Sequence, residues 1–351
     1  MENPLMNKSV LYALGAAALF GASTPFAKQL TGDMPPVLLA GLLYLGSGVG
    51  ITLVRLVRDG GLEPSGLAKN EWPWLLGAIL FGGVLGPVAL MFGLTSTGGA
   101  SASLLLNLEA VLTAVIAWVV FKENADRRIM MGMLAIVAGG AALGWQTDSS
   151  GDSSVIGPVL VGLACLCWAI DNNLTRKVSA SDALFIAGIK GLIAGSVNTV
   201  LAISMDAAMP NFATLTATLI VGLLGYGVSL VLFVLALRGL GTARTGAYFS
   251  TAPFIGAAVA LFAFSETTSP AFWIAAVLMG LGVWLHLTEH HAHEHRHELQ
   301  EHDHVHIHDE HHQHKHGLDG DDNSRHGHRH THFPIKHTHP HYPDVHHRHV
   351  H

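Results

Sequence analysis

The sequence is poor in charge and cysteine, and it has no histidine before position 286. Charged residues make up 13% of the 351 and hydrophobic residues 50%, whereas soluble domains carry roughly 25% charged residues. This shortage of charge excludes an ordinary soluble domain and predicts a protein embedded in lipid. The two cysteines, Cys165 and Cys167, lie in one apolar run, which excludes a disulfide scaffold.

The sequence also lacks the features of common enzymes. The phosphate-binding loop G-x-x-x-x-G-K-[ST] is absent, so we do not expect the chain to hydrolyse ATP. No pairing of a nucleophile with a base, and no cofactor motif, points to catalysis. We therefore predict that the protein is not an enzyme and that transport itself needs no cofactor.

Ten hydrophobic runs have about the length needed to cross a bilayer as helices. Their apolar stretches are too long and too uniform for the alternating strands of a membrane barrel. The predicted fold class is all-α integral membrane, with ten transmembrane helices. The runs cover residues 10–29, 36–57, 73–94, 99–121, 128–146, 156–176, 183–204, 214–237, 244–264 and 270–287.

Basic residues are concentrated on one side of these runs. With the amino terminus inside, eleven Lys and Arg residues flank the inner ends and only Lys28 flanks an outer end. Because the positive side of a membrane protein faces the cytoplasm, we predict a multi-pass protein of the cell (inner) membrane with both termini cytoplasmic.

The two halves of the chain share a motif at an offset of 143 residues. Ala100–Glu123 and Ala243–Glu266 each contain small residues, then Leu-Glu-Ala or Thr-Ala-Pro, an apolar helix and a final Glu. Five predicted helices per half is an odd number, so the halves would have opposite orientations in the membrane. Such inverted repeats place a solute site between the halves of a carrier.

This duplicated motif resembles the EamA-type repeat of the drug/metabolite transporter superfamily. The resemblance implies a secondary transporter, most often an exporter of metabolites or drugs, and it does not cover the end of the chain. The expected domains are a first five-helix repeat at 9–146, an external linker at 147–155, a second five-helix repeat at 156–288 and a tail at 289–351.

Polar residues inside the predicted helices are candidates for the substrate path, because a charge within the bilayer costs several kcal/mol and usually faces protein or a watery cavity. Glu109 lies near mid-membrane, with Asn107 two residues before it. Asp171, followed by Asn172, lies at a depth similar to that of Lys190. An ion pair between Asp171 and Lys190, and a gate or substrate contact there, are both open interpretations.

The internal symmetry adds further candidates. Ser23 matches Asp171 at an offset of 148 residues, and the two would face each other across the pseudo-twofold axis. Pro25 either frees a backbone carbonyl for a substrate or merely kinks its helix. Trp168 and Tyr248 either line the cavity or pack in the core.

All 25 histidines lie at or after His286, and in the tail they largely occupy alternate positions. Interspersed Gly, Asp, Asn and Pro predict a disordered tail. Neutral imidazole suits Zn²⁺, Ni²⁺, Co²⁺ and Cu²⁺, so we expect the tail to bind divalent metal, with a merely pH-responsive polar tail as the alternative. The predicted ligands are His291, His293, His295, His297, His302, His304, His306, His308, His326, His328, His330, His332, His337, His339 and His341.

Three functions remain open on the sequence alone. The carrier either moves nickel, cobalt or zinc supplied by its cytosolic tail, or exports an organic metabolite or amino acid under the control of metal at the tail. The third is a membrane receptor for metal that transports nothing. The expected partners are the lipid bilayer and a small-molecule or metal substrate, without nucleic acid, and a second copy of the chain is a candidate for a homodimer.

Overall fold

The computed structural model describes residues 4–61, 64–121, 127–144, 155–178 and 181–287, together with four short strands between 292 and 340. The helical part and the segment His290–Tyr342 form separate compact units. Each unit is therefore described by itself.

The described residues of the helical unit contain α-helices joined by short turns, as the apolar runs predict. Two segments are π-helical, Ile79–Leu85 and Leu223–Val228, and each joins two α-helices that follow each other in the chain. The α-helices are α1 Pro4–Leu30, α2 Pro36–Asp59, α3 Trp72–Ala78, α4 Gly86–Ser96, α5 Gly99–Leu105, α6 Leu108–Phe121, α7 Arg127–Gly144, α8 Ile156–Val178, α9 Ala183–Ser204, α10 Phe212–Gly222, α11 Ser229–Phe249, α12 Ala252–Ala263 and α13 Pro270–Leu287.

Seven segments of the described residues are long and apolar enough to cross a membrane. Two more apolar helices are shorter, Ala252–Ala263 and Pro270–Leu285. A multi-pass helical membrane protein is thereby confirmed, whereas the count of ten crossings stays a prediction. The seven are Lys8–Leu30, Pro36–Asp59, Lys69–Ser96, Gly99–Val120, Ile156–Thr175, Ala183–Ser204 and Phe212–Ala236.

The boundary predicted between the runs 214–237 and 244–264 is absent. We expected an interruption at residues 238–243, where Gly239 and Gly241 lie, but α11 continues through them to Phe249. Glycine within a helix costs only about 1 kcal/mol relative to alanine, so glycine alone does not oblige a helix to end. In the first half the chain does break, at Thr97 and Gly98 between α4 and α5.

Helices α2 and α9 pack unusually closely, because glycines lie along their contact. A Cβ atom added at Gly48 would lie 2.2 Å from the Leu192 nitrogen, and one added at Gly191 would lie 2.4 Å from the Gly48 nitrogen. Gly195 lies against Leu45 in the same way. Small residues allow helix backbones to approach within a membrane, so these glycines define the α2–α9 contact.

Several other helix contacts come in matching pairs. α1 packs against α11 and α12, while α8 packs against α4 and α6. α7 packs against α13. Each contact has its counterpart when the first half of the chain is exchanged for the second.

The segment His290–Tyr342 contains two antiparallel strand pairs. β1 (Ala292–Arg296) pairs with β4 (Lys336–Pro340), and β2 (Gln300–His306) pairs with β3 (His326–His332). These strands lie in the tail for which the sequence predicts disorder, and disorder of the tail as a whole stays a prediction. Alternate positions have the period of a strand, and pairing satisfies the backbone hydrogen-bonding groups.

The strand register places histidines opposite histidines. In the first pair His293 is opposite His339 and His295 is opposite His337. In the second pair three such positions occur, namely His302 with His330, His304 with His328, and His306 with His326. The predicted ligands His291, His297, His308 and His341 lie outside the described residues.

Candidate solute-binding site

The break between α5 and α6 places Glu109 in the first turn of α6, where it meets α8. The Glu109 amide donates to the Leu106 carbonyl at 3.0 Å, which starts α6 immediately after α5 ends. Asn172 of α8 donates through Nδ2 to Glu109 Oε1 at 2.8 Å. The first half of the chain thus supplies a carboxyl group and the second half supplies its amide partner.

Asp171 and Lys190 form a buried ion pair between α8 and α9. Their side chains are only 8% and 7% exposed, and Thr175 donates to the other Asp171 oxygen at 2.8 Å. A buried charge requires such a partner because its desolvation is expensive. The ion pair, one of the two open interpretations, is present in the structure, whereas a gate or substrate contact at these residues stays a prediction.

The first π-helical segment lies directly against this ion pair. A Cβ atom added at Gly82 would lie 1.9 Å from Asp171 Oδ2, so the carboxylate occupies the space of a missing side chain. The Gly82 carbonyl accepts hydrogen bonds from Tyr44 Oη at 2.7 Å and Trp168 Nε1 at 3.0 Å. Short π-helical segments frequently mark functional sites.

The second π-helical segment lies against the counterpart of Asp171. A Cβ atom added at Gly225 would lie 2.4 Å from Ser23 Cβ, and Ser23 donates to the Phe20 carbonyl at 2.6 Å. Tyr226 follows Gly225 in this segment, and its ring contacts Phe20. Ser23 and Asp171 therefore each occupy the space left by a glycine in the π-helical segment of the opposite half.

Aromatic rings from both halves meet between these two contacts. Phe20 and Trp168, which correspond at the offset of 148 residues, touch edge to face with centroids 5.9 Å apart. Phe20 also meets Tyr226 at 6.1 Å and Phe249 at 5.4 Å. Tyr44 lies 5.3 Å from Tyr226. The rings join the two polar contacts into one cluster.

The charged contacts of the cluster are adjacent along α8. Asn172, which donates to Glu109, directly follows Asp171, which pairs with Lys190. The site thus combines two carboxyls, one amine, an amide and several aromatic rings. Among the side chains that the structure describes, no group of three or more His, Cys, Asp or Glu could hold a metal ion.

The other predicted site residues lie at the edges of this cluster or apart from it. Asn107 is 2% exposed and donates to the Leu104 carbonyl at 3.0 Å. Pro25 packs beside Gly99. Tyr248 is half-buried and packs against a separate small cluster of Ala13, Ala236 and Leu240.

The site residues that were missed from the sequence include Tyr44, Gly82 and Tyr226. A tyrosine in an apolar run is typical of ordinary packing, and Gly82 and Gly86 have the helical spacing of packing glycines. The paired glycines around Tyr226 and at positions 82 and 83 were the available signal, since both stretches are π-helical.

A sequence profile of the EamA-like transporter family matches residues 7–144 and, a second time, residues 155–288. The chain belongs to the EamA-like transporter family. It is thus a membrane transporter of the drug/metabolite transporter superfamily, as the duplicated motif suggested. The two matches correspond closely to the two predicted repeats.

Several curated relatives are similar to this EamA-like chain. An uncharacterized transporter of Methanothermobacter thermautotrophicus is 26% identical over 286 residues, covering 77% of this chain and 83% of the relative. The uncharacterized transporter YyaM of Bacillus subtilis is 24% identical, covering 77% and 90%. A probable 4-amino-4-deoxy-L-arabinose-phosphoundecaprenol flippase subunit, ArnE of Pseudomonas paraeruginosa, is 38% identical over 115 residues, which is 31% of this chain and 96% of ArnE.

The fold is also found in a crystal structure. That chain superimposes with a TM-score of 0.61 at 21% identity, covering 79% of this chain and 94% of the other. At this identity the similarity establishes the fold alone.

Proposed function

We propose that this EamA-like protein is a secondary carrier for an organic solute that carries an amine or other hydrogen-bonding group. The observation that carries the proposal is the Glu109–Asn172 hydrogen bond, which lies in a cluster shared with aromatic rings and the Asp171–Lys190 pair. A carboxyl group beside aromatic faces suits an organic cation or a zwitterion. Few precisely placed polar groups within an apolar wall are typical of small-molecule sites.

The proposed architecture is ten transmembrane helices in two inverted five-helix repeats. The two profile matches, the paired helix contacts and the equivalent contacts of Ser23 and Asp171 support it. The site then lies where the halves meet, so that rocking exposes it to each side of the membrane in turn. We propose that both termini lie in the cytoplasm. Efflux is the proposed direction, because the family resemblance implies most often an exporter.

Glu109 is the proposed proton carrier of the cycle. It is the carboxyl group of the site that has an amide partner rather than an ammonium partner, so it can gain and lose a proton without breaking an ion pair. Solute binding on one side and protonation on the other would then alternate at one carboxyl group.

The name of one relative supports an organic substrate. ArnE is named as a subunit of a flippase for an aminoarabinose carried on a lipid phosphate. That substrate is organic and bears an amine. For this chain we propose the broader class and leave the particular solute to experiment.

The test is a binding screen followed by a flux measurement. Purified full-length protein is heated with a panel of amino acids, amino sugars and aromatic amines, because a ligand at 100 times its Kd stabilises by about 2.7 kcal/mol. Each compound that stabilises the protein is then followed in proteoliposomes with an imposed proton gradient. Glu109→Gln keeps the size of the side chain but cannot exchange a proton, so it should abolish gradient-driven flux.

The control is Glu71→Gln, since Glu71 is a glutamate outside the cluster that accepts a hydrogen bond from the Ala68 amide at 2.8 Å. It should leave flux unchanged. Undiminished proton-driven flux in Glu109→Gln would remove the proton role of this residue. If no compound of the panel stabilises the protein, and Ni²⁺ or Zn²⁺ flux requires Glu109, then the transported substrate is a metal ion and not an organic solute.

A metal-binding tail is the second part of the proposal. The histidine content of residues 289–351 and the histidine-to-histidine register of the strand pairs support it. The tail would gather Zn²⁺, Ni²⁺, Co²⁺ or Cu²⁺ on the cytosolic side, and either regulate the carrier or buffer the metal. Metal as the transported substrate is the alternative that the tail favours.

A further inference from the structure

Glu266, the final residue of the second motif copy, reaches across to the first half of the chain. Its two carboxylate oxygens accept hydrogen bonds from the first backbone amides of α5, Gly99 N at 2.9 Å and Ala100 N at 2.8 Å. These amides begin a helix and therefore have no carbonyl partner within it. A carboxylate at such a position is favoured by hydrogen bonding and by the helix dipole.

The chain turns sharply to bring Glu266 to this position. α12 ends at Ala263, and Ser265 adopts the left-handed backbone region with φ of 53°. The Glu266 amide then donates back to the Ala260 carbonyl at 3.2 Å, as in a helix-ending turn. Ser265 is not glycine, so this conformation has an energetic cost that its surroundings must offset.

Lys28 of α1 holds the other side of the same chain reversal. Its ammonium group donates to the Leu94 carbonyl at 2.5 Å, near the end of α4. Lys28 and Glu266 thus place opposite charges on the two sides of this reversal. The turn at Thr97 and Gly98 is therefore held by a cation at the helix end before it and by an anion at the helix start after it.

We infer that Lys28, Glu266 and the start of α5 form a latch that closes one end of the transport path. The inference rests on the proposed carrier function. Glu266 belongs to the second profile match, whereas Lys28 and α5 belong to the first, so separation of the halves at this end must break both hydrogen bonds of Glu266. Ser103 lies one turn further along α5, is 1% exposed and has no partner for its hydroxyl. A Cβ atom added at Gly256 of α12 would lie 2.7 Å from Ser103 Oγ, so Ser103 lies where α5 contacts the second half of the chain.

The equivalent position in the second half has a different backbone. Thr242 and Ala243, offset by 143 residues from Gly99 and Ala100, lie inside the continuous helix α11. Their amides are therefore within a helix rather than at its start. The geometry at the start of α5 is therefore not repeated at these two residues of α11.

The experiment measures how readily a reagent reaches position 103, one helix turn beyond the latch. In full-length protein with Cys165→Ala and Cys167→Ala, a reporter Ser103→Cys is labelled with a membrane-impermeant maleimide. Right-side-out and inverted vesicles give the rate from each side. Because charge-assisted hydrogen bonds are lost, Glu266→Ala should raise the labelling rate on the order of tenfold, from one side only. Glu266→Gln and Lys28→Met should give smaller increases from the same side.

Glu71→Ala is the matched control, since Glu71 also accepts a hydrogen bond from a backbone amide before a helix but does so within its own segment. It should not change the rate. If Glu266→Ala does not insert into the membrane, the milder Glu266→Gln and Lys28→Met decide. Unchanged labelling in both, or an equal increase from both sides, would overturn the latch.

Failure of the latch and failure of the proposed function remain distinguishable. The labelling rate requires no knowledge of the solute, whereas the thermal screen requires no movement of Glu266. One-sided labelling without any stabilising compound keeps the latch and removes the organic solute. A proton-driven solute flux with unchanged labelling keeps the organic solute and removes the latch.

Discussion

Lys190 and Asp171 are buried charges that hold each other in place. Replacing one partner leaves an uncompensated charge in the core, which typically costs 3–5 kcal/mol. We expect Lys190→Met to lower the unfolding temperature of the detergent-solubilised protein strongly, and addition of Asp171→Asn to the same chain to restore most of the loss. The measurement is thermal unfolding of the single and double variants.

The comparison is Arg58→Met, which removes an ion pair whose arginine is 46% exposed and lies 2.7 Å from Asp182. Exposed pairs contribute only about 0–1 kcal/mol, so the change should be small. A Lys190→Met variant as stable as Arg58→Met would contradict the argument from burial.

At the residue scale, sequence reasoning succeeded where depth along a helix was enough. Asp171 and Lys190 were considered as a pair because the sequence places them at a similar depth in two successive helices. The contact of Glu109 with Asn172 was not predicted, since it depends on α6 lying against α8, and the sequence pattern does not say which helices are neighbours. Tyr44 was missed for the same reason, because its partner is a backbone carbonyl on another helix.

At the element scale, the first π-helical segment depends on a glycine. Gly82→Ala would place a methyl group within 1.9 Å of Asp171 Oδ2, and that carboxylate is held by Lys190 and Thr175. Overpacking of this kind costs about 1–3 kcal/mol. We expect lower thermal stability and weaker solute binding, checked by unfolding in the presence and absence of a compound from the screen.

Gly162→Ala on α8 is the control for this change. A Cβ atom at Gly162 has nothing within 4 Å, and alanine is favoured over glycine in a helix by about 1 kcal/mol. The two substitutions should therefore have opposite signs. Equal effects would show that helix propensity, and not the space occupied by Asp171, decides the result at Gly82.

Hydrophobic runs predicted most helices, but they did not predict how the helices are interrupted. Length and apolarity gave α2, α8 and α9 nearly to their observed ends, whereas α1 begins six residues before the predicted run. The π-helical segments and the short gap between α5 and α6 were not predicted, because the hydropathy of a segment does not depend on the pattern of its backbone hydrogen bonds. The predicted interruption within α11 was wrong for the related reason that glycine permits a break without requiring one.

At the scale of the whole molecule, the tail should bind metal independently of the helical unit. Truncation after Thr288 removes every tail histidine, so we expect Zn²⁺ and Ni²⁺ binding measured by calorimetry to disappear. Binding to the full chain should weaken as pH falls through about 6.5, because protonated imidazole cannot ligate a metal. Unaltered binding after truncation, or binding insensitive to acid, would contradict the assignment of these histidines as ligands.

The α2–α9 contact restricts how such a molecule can move. Gly48 and Gly191 bring the two backbones into direct contact, so the helices cannot come closer. Separating them would leave a gap that neither glycine has a side chain to fill. Rotation of one helix against the other along this contact is still possible. We expect this line to serve as the pivot of the transport cycle, with displacement growing with distance from it, so that the largest excursions occur at the far rims of the two halves.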